Sequence, residues 1–143
     1  MPGRPPASRR AVLRGAALTP LAGLGLTACG GGGDGGRAAS AGPTAPVDLG
    51  AESDVPKGGA KLFRDANVVV SRAQDGGLKA YSTVCTHAGC PISKLSGTKL
   101  TCFCHGSEFD ATTGEVLHEP ATVPLPEVAV RAEDGRIVAG PSA

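Results

Sequence analysis

The chain has 143 residues, with 14 Lys and Arg against 13 Asp and Glu, and its aromatic residues are one Tyr and three Phe. Near-neutral charge with no basic stripe gives no footprint for nucleic acid. So few aromatics allow only a thin apolar core, and a domain built on one needs staples. Five Cys and three His are the residues from which such staples are made.

Ser8-Arg9-Arg10-Ala11-Val12-Leu13-Arg14 precedes a mildly apolar run over 15–28 that has no acidic residue and contains Pro20. That run is too short and too Gly-rich for a membrane span of about 20 apolar residues. A basic start followed by an apolar stretch is the pattern of a targeting segment, and these residues resemble the twin-arginine export signal. Leu26-Thr27-Ala28-Cys29 resembles the bacterial lipobox, whose cysteine is lipidated and becomes the mature N-terminus. Residues 1–28 are therefore expected to be an export signal, and Cys29 the lipidation site that anchors the protein to the outer face of the cell membrane. Four of the 14 basic residues and no acidic ones fall within 1–28, so the exported portion is net negative.

Residues 29–46 are mostly Gly, Ala, Ser, Thr and Pro after the cysteine. Such a segment buries no core and reads as a flexible linker, with an r.m.s. reach of roughly 20 to 25 Å. Residues 47–143 form the remaining domain. Within it 60–63, 67–72 and 78–84 read as strands, the last two joined through Asp75-Gly76-Gly77 as a hairpin. Residues 98–101 form another short strand. Residues 128–131 and 136–139 flank Glu133-Asp134-Gly135 as a second hairpin. No stretch after Val47 has a helical period, so the expected class is all-β. His118 reads as a solvated loop histidine, since no motif residue pairs with it.

The densest chemistry runs from Cys85 to Asp110: Cys-Thr-His-Ala-Gly-Cys, eleven intervening residues, then Cys-Phe-Cys-His-Gly-Ser-Glu-Phe-Asp. Two half-sites face each other, Cys85-x-His87 and Cys102-x-x-His105, each with one further cysteine, Cys90 or Cys104. Four ligands and one spare pair is the simplest division. Two thiolates and two imidazoles suit an iron-sulfur centre in which His replaces Cys on one iron. A Cys2His2 zinc site would use the same donors, though zinc sites usually pair Cys with Cys and His with His along the chain. A disulfide framework alone leaves two matched histidines unexplained.

These residues resemble the Rieske family, over both ligand loops and more loosely from Val47 onward. The resemblance implies an antiparallel β-sandwich with two cluster-binding loops at one tip. It implies a 2Fe-2S cluster held by Cys85 and Cys102 on one iron and by His87 and His105 on the other, with a Cys90–Cys104 disulfide tying the loops. By the same resemblance Ser107 is the serine whose hydroxyl donates to a bridging sulfide. Phe109 stands where respiratory members often carry a Tyr that donates to a ligand sulfur. Glu119-Pro120-Ala121 resembles the Gly-Pro-Ala of a shielding loop, with an acid in place of Gly, and Ala88 stands where Leu is frequent at the quinol-docking surface. The implied function is one-electron transfer, as the iron-sulfur subunit of a quinol:cytochrome c reductase working between a quinol-oxidising cytochrome b and a cytochrome c-type acceptor. The alternative is a stand-alone exported lipoprotein carrier or a small subunit of another exported oxidoreductase. A cluster inserted in the cytoplasm gives a reason to use an export route for folded proteins.

Cys29→Ala is expected to move the protein from the membrane to the soluble fraction with its cluster intact, because the lipid chains supply about 0.8 kcal/mol per buried CH2. Fractionation with iron assay checks this, and a variant that stays on the membrane would transfer the anchor to the leader or to a partner.

Overall fold

The computed structural model describes residues 42–141. The expected export signal, Cys29 and most of the expected linker lie outside the described residues. The described residues form β1 Val47–Ala51, β2 Gly59–Phe63, β3 Val68–Arg72, β4 Leu78–Ser82, β5 Lys94–Ser96, β6 Lys99–Thr101, β7 Glu108–Asp110, β8 Val116–His118, β9 Glu127–Val128, β10 Val130–Glu133 and β11 Arg136–Ala139. Helical structure among them is confined to two 3-10 turns, Glu52–Asp54 and Arg64–Ala66, and no described helix is long and apolar enough to cross a membrane. The all-β expectation holds.

Three antiparallel sheets result, in the orders β1-β11-β10, β2-β3-β4-β9 and β5-β6-β7-β8. The β2-β3-β4-β9 sheet lies between two cores, and the pleat explains why. Successive side chains of a strand point to opposite faces, so Val68 and Val70 of β3 enter one core with Val55, Ala80, Ile137 and Ala139. Val69 enters the other with Tyr81, Ile92, Leu100, Phe109 and both Cys85 and Cys102. The Val-Val-Val run thus feeds two cores from one strand, all three residues being fully buried. Each such burial contributes roughly 1.5 to 3 kcal/mol relative to exposure.

Both expected hairpins are present, with sharper edges. Asn67 is not in β3: it closes the preceding 3-10 turn in the left-handed conformation, φ 52, which Asn tolerates better than Val. β4 ends at Ser82, and Val84 makes only an isolated bridge with Pro91, because the chain is already leaving the sheet for the first ligand loop. The expected strand over 128–131 is split at Ala129. Val128 pairs with Ala80 of β4, whereas Val130 pairs with Ala139 of β11, so the chain changes sheets there. Asp134 and Gly135 both have positive φ, 49 and 75, as a two-residue turn matched to strand twist requires. Strands β5, β7 and β8 were not legible as strands, being three residues long, and β1 was not because its pattern is broken at Gly50, where its register with β11 shifts.

Gly114 shows how tightly the second core is closed. Its φ is +74, and an added Cβ would lie 2.7 Å from two Tyr81 ring atoms and 3.0 Å from the Leu125 carbonyl. Gly76 also has positive φ, +98, but a Cβ there meets nothing within 4 Å. Gly114→Ala is therefore expected to destabilise by about 2 to 4 kcal/mol, backbone strain plus overpacking, and Gly76→Ala by about 1 kcal/mol. Thermal melts of the two variants check the difference.

Candidate metal centre

Two loops at one end of the β5-β6-β7-β8 sheet carry the motif residues, and their backbones follow the same plan. In the first, the Cys85 N–H donates to the Cys90 carbonyl (2.8 Å) and the Gly89 N–H to the Cys85 carbonyl (2.8 Å). In the second, the Cys102 N–H donates to the Ser107 carbonyl (2.9 Å) and the Gly106 N–H to the Cys102 carbonyl (3.0 Å). Each loop is closed by a glycine four residues after its first cysteine. Gly89 and Gly106 have φ 72 and 86, and an added Cβ would meet nothing within 4 Å at either. The requirement is therefore conformational. The repeated Cys-x-x-x-Gly is a sequence signal of this plan that motif reading passed over.

The plan sorts the side chains by depth. Cys85 and Cys102 point inward, 2% and 1% exposed, and both are free thiols. His87 and His105 are exposed, and their rings meet edge to face with centroids 4.8 Å apart and planes at 83°. Cys90 and Cys104 form a disulfide with Cα atoms 6.6 Å apart, as the resemblance implied. Burial pushes the Cys102 thiol above its ordinary range. A backbone hydrogen bond from Cys104 opposes the shift, the adjacent Cys85 sulfur reinforces it, and a further backbone bond from His105 opposes it. Two inward thiols side by side, with backbone donors aimed at one of them, form a donor set suited to metal, which takes up the charge that burial disfavours. The two imidazoles on the same two loops bring the donors to four, so the residues present fit a cluster held by two Cys and two His.

A third loop, residues 119–126, clasps both ligand loops. The Thr86 Oγ1–H donates to the Val123 carbonyl at 2.6 Å, tying it to the first. The Ala121 N–H donates to Ser107 Oγ at 3.0 Å, tying it to the second. Ser107 is fully buried, and with its oxygen already accepting from Ala121 its hydroxyl proton is left to donate elsewhere. Phe109 is fully buried in the core that contains both free thiols and brings no donor to it. The sequence pointed to the shielding loop but not to Thr86 or the Ala121 amide as its fastenings. His118 is not in a loop. It is the exposed last residue of β8, opposite Glu108, and its Nδ1 lies 2.6 Å from the Glu119 carbonyl. The strand was missed because its register is irregular and only three residues long.

An all-β domain that presents two inward thiols and two outward imidazoles from disulfide-linked loops is an iron-sulfur protein of the mixed Cys and His kind. Residues 45–129 match the Rieske [2Fe-2S] domain, and the chain belongs to that family. It is 37% identical over 93 residues to the cytochrome b6-f complex iron-sulfur subunit of Chlorobaculum tepidum, covering 63% of this chain and 50% of that one. It is 36% identical over 97 residues to the cytochrome bc1 complex Rieske iron-sulfur subunit of Corynebacterium diphtheriae, covering 59% of this chain and 24% of that one. The chain thus spans half or less of these relatives. Among solved structures, the plasma membrane Rieske protein of Synechocystis superposes with a TM-score of 0.54 at 33% identity, covering 66% of this chain and 99% of that one.

Ser107→Ala is expected to act twice. Leaving the buried Ala121 N–H without an acceptor costs about 1 to 3 kcal/mol of stability. Loss of a hydroxyl donor beside the cluster lowers the reduction potential by tens of millivolts, because a donor stabilises the more negative reduced state more than the oxidised one. Melting and voltammetry on one preparation read both, and an unchanged potential would withdraw Ser107 from its tuning role.

Proposed function

We propose that this protein is a one-electron carrier, the iron-sulfur subunit of a quinol-oxidising cytochrome bc-type complex, exported and held on the outer face of the cell membrane by a lipid on Cys29. The observation that carries the reading is the sorting of donors by depth, with two buried thiols behind two exposed, touching imidazoles. In it Cys85 and Cys102 would hold one iron, and His87 and His105 the other. The 2Fe-2S cluster supplies a single-electron couple whose potential is raised by neutral imidazole in place of thiolate.

The chain's own residues then divide the work. Phe109, Leu100 and Ile92 keep water from the sulfur side. The Cys90–Cys104 disulfide keeps the two loops in register. His87 and His105, at the surface, offer a ring nitrogen to the electron donor. Exposed apolar side chains, Phe103 on the second ligand loop and Val123 on the third loop, with Ala88 beside His87, form the rim on which a partner seats. The partners in this reading are a quinol-oxidising cytochrome b and a cytochrome c-type acceptor. The two named relatives are subunits of complexes of that kind, which supports the assignment. The alternative is a stand-alone exported lipoprotein carrier or a small subunit of another exported oxidoreductase. Co-purification of a cytochrome b with the detergent-solubilised protein separates the two.

A transfer in which one proton accompanies the electron makes the reduction potential fall as pH rises, by about 59 mV per unit, because uptake of the proton becomes harder as protons grow scarce. Protein-film voltammetry is expected to show this fall, and a potential indifferent to pH would remove the proton from the transfer.

A further inference from the structure

Three sulfur atoms crowd the second ligand loop. The Sγ atoms of Cys90, Cys102 and Cys104 all lie within 4.8 Å of one another, and two of the three are already joined as the disulfide. Cys102 is a free thiol. A thiol beside a disulfide is the arrangement from which exchange proceeds: a thiolate attacks one sulfur, a new S–S bond forms, and the other sulfur leaves as thiolate. Cys85 is the built-in control. It is also a free buried thiol, yet it does not belong to this group of three sulfurs.

We propose that when the chain lacks its cluster, Cys102 attacks Cys90, forming a Cys90–Cys102 disulfide and releasing Cys104. The Cys102–H and Cys90–Cys104 bonds break, the Cys90–Cys102 bond forms, and Cys104 takes up the proton that Cys102 gave. No oxidant or reductant is consumed. Two features set the direction. Cys104 is exposed whereas Cys90 is half-buried, so a departing thiolate is better solvated at Cys104. Attack on Cys104 instead would close a ring over one intervening residue, Phe103, which leaves little freedom to reach relaxed disulfide geometry. The step runs on the scale of minutes to hours usual for uncatalysed rearrangement.

The consequence rests on the proposed ligand set, in which Cys102 holds iron. Metal on Cys102 withdraws the attacking sulfur, so the loaded chain keeps the Cys90–Cys104 pairing. Loss of the cluster lets the exchange consume one of the two inward thiols, and the site then cannot be refilled until a reductant restores Cys102. Cluster occupancy and disulfide isomer are mutually exclusive states of one loop pair.

The test uses the full-length loaded protein. One portion is stripped of iron anaerobically with a chelator. Both portions are sampled over hours, blocked with an alkylating reagent, cleaved after Lys and after Phe103, and mapped without reduction by mass spectrometry. The expected result is a Cys90–Cys102 link and alkylated Cys104 appearing in the stripped portion, at least tenfold above the loaded one. The fraction that can be reloaded with iron and sulfide should fall in step and be restored by dithiothreitol. Persistence of Cys90–Cys104 alone in the stripped protein would overturn the proposal, as would linkage of Cys85 as often as Cys102, which marks random reshuffling of an unfolded chain. The ligand reading fails separately: a Cys102→Ser variant that retains full iron, or exchange in the loaded portion without iron loss, would remove Cys102 from the iron whatever the stripped protein does.

Discussion

The structure depends on holding two thiols inside a small apolar core, pointing the same way and close together. Left alone, such a pair is a poor use of a core, and burial already pushes the Cys102 thiol up. The arrangement becomes favourable when metal accepts the charge, so the energy that orders the tip is binding energy as much as packing. Around this constraint the remainder is arranged. The β5-β6-β7-β8 sheet buries Leu100 and Phe109 beside the sulfurs, and the loops return on glycines so that the residues between them can face outward.

The tip is tied together by two kinds of fastening that answer to different conditions. The disulfide joins the ligand loops covalently and responds to thiols and reductants. The third loop joins the same two loops through Thr86 to Val123 and Ala121 to Ser107, hydrogen bonds indifferent to redox poise. The second fastening takes one lone pair of the Ser107 oxygen and leaves its proton free to donate.

The base of the molecule is built by pleat geometry alone. β3 sends Val69 to the core of the metal end and Val68 and Val70 to the core shared with β11, so a change in either core is felt across one strand. The split of the run at Ala129 between two sheets serves the same economy. One extended segment closes both the β4 edge and the β10-β11 hairpin.

What the sequence determined by itself was chemistry and class. Cys and His at these spacings have few uses, and a chain with a Val-Val-Val run, Asp-Gly turns and no helical period has little choice but to form sheets. It also pointed to both hairpins, since Asp-Gly pairs readily supply the positive φ that tight turns use, as Gly76 and Gly135 do. Tertiary structure decided the rest. β5, β7, β8 and β9 are two or three residues long, too short for any period to register, and exist because neighbours supply their hydrogen bonds. His118 became a strand residue for that reason. Depth was decided in the same way: nothing in Cys-Thr-His-Ala-Gly-Cys says which side chain turns inward, and only the matched loops, closed at Gly89 and Gly106, place the thiols in the core and the imidazoles in water. The nearness of Cys102 to the disulfide belongs to this category too, for it arises where two loops meet.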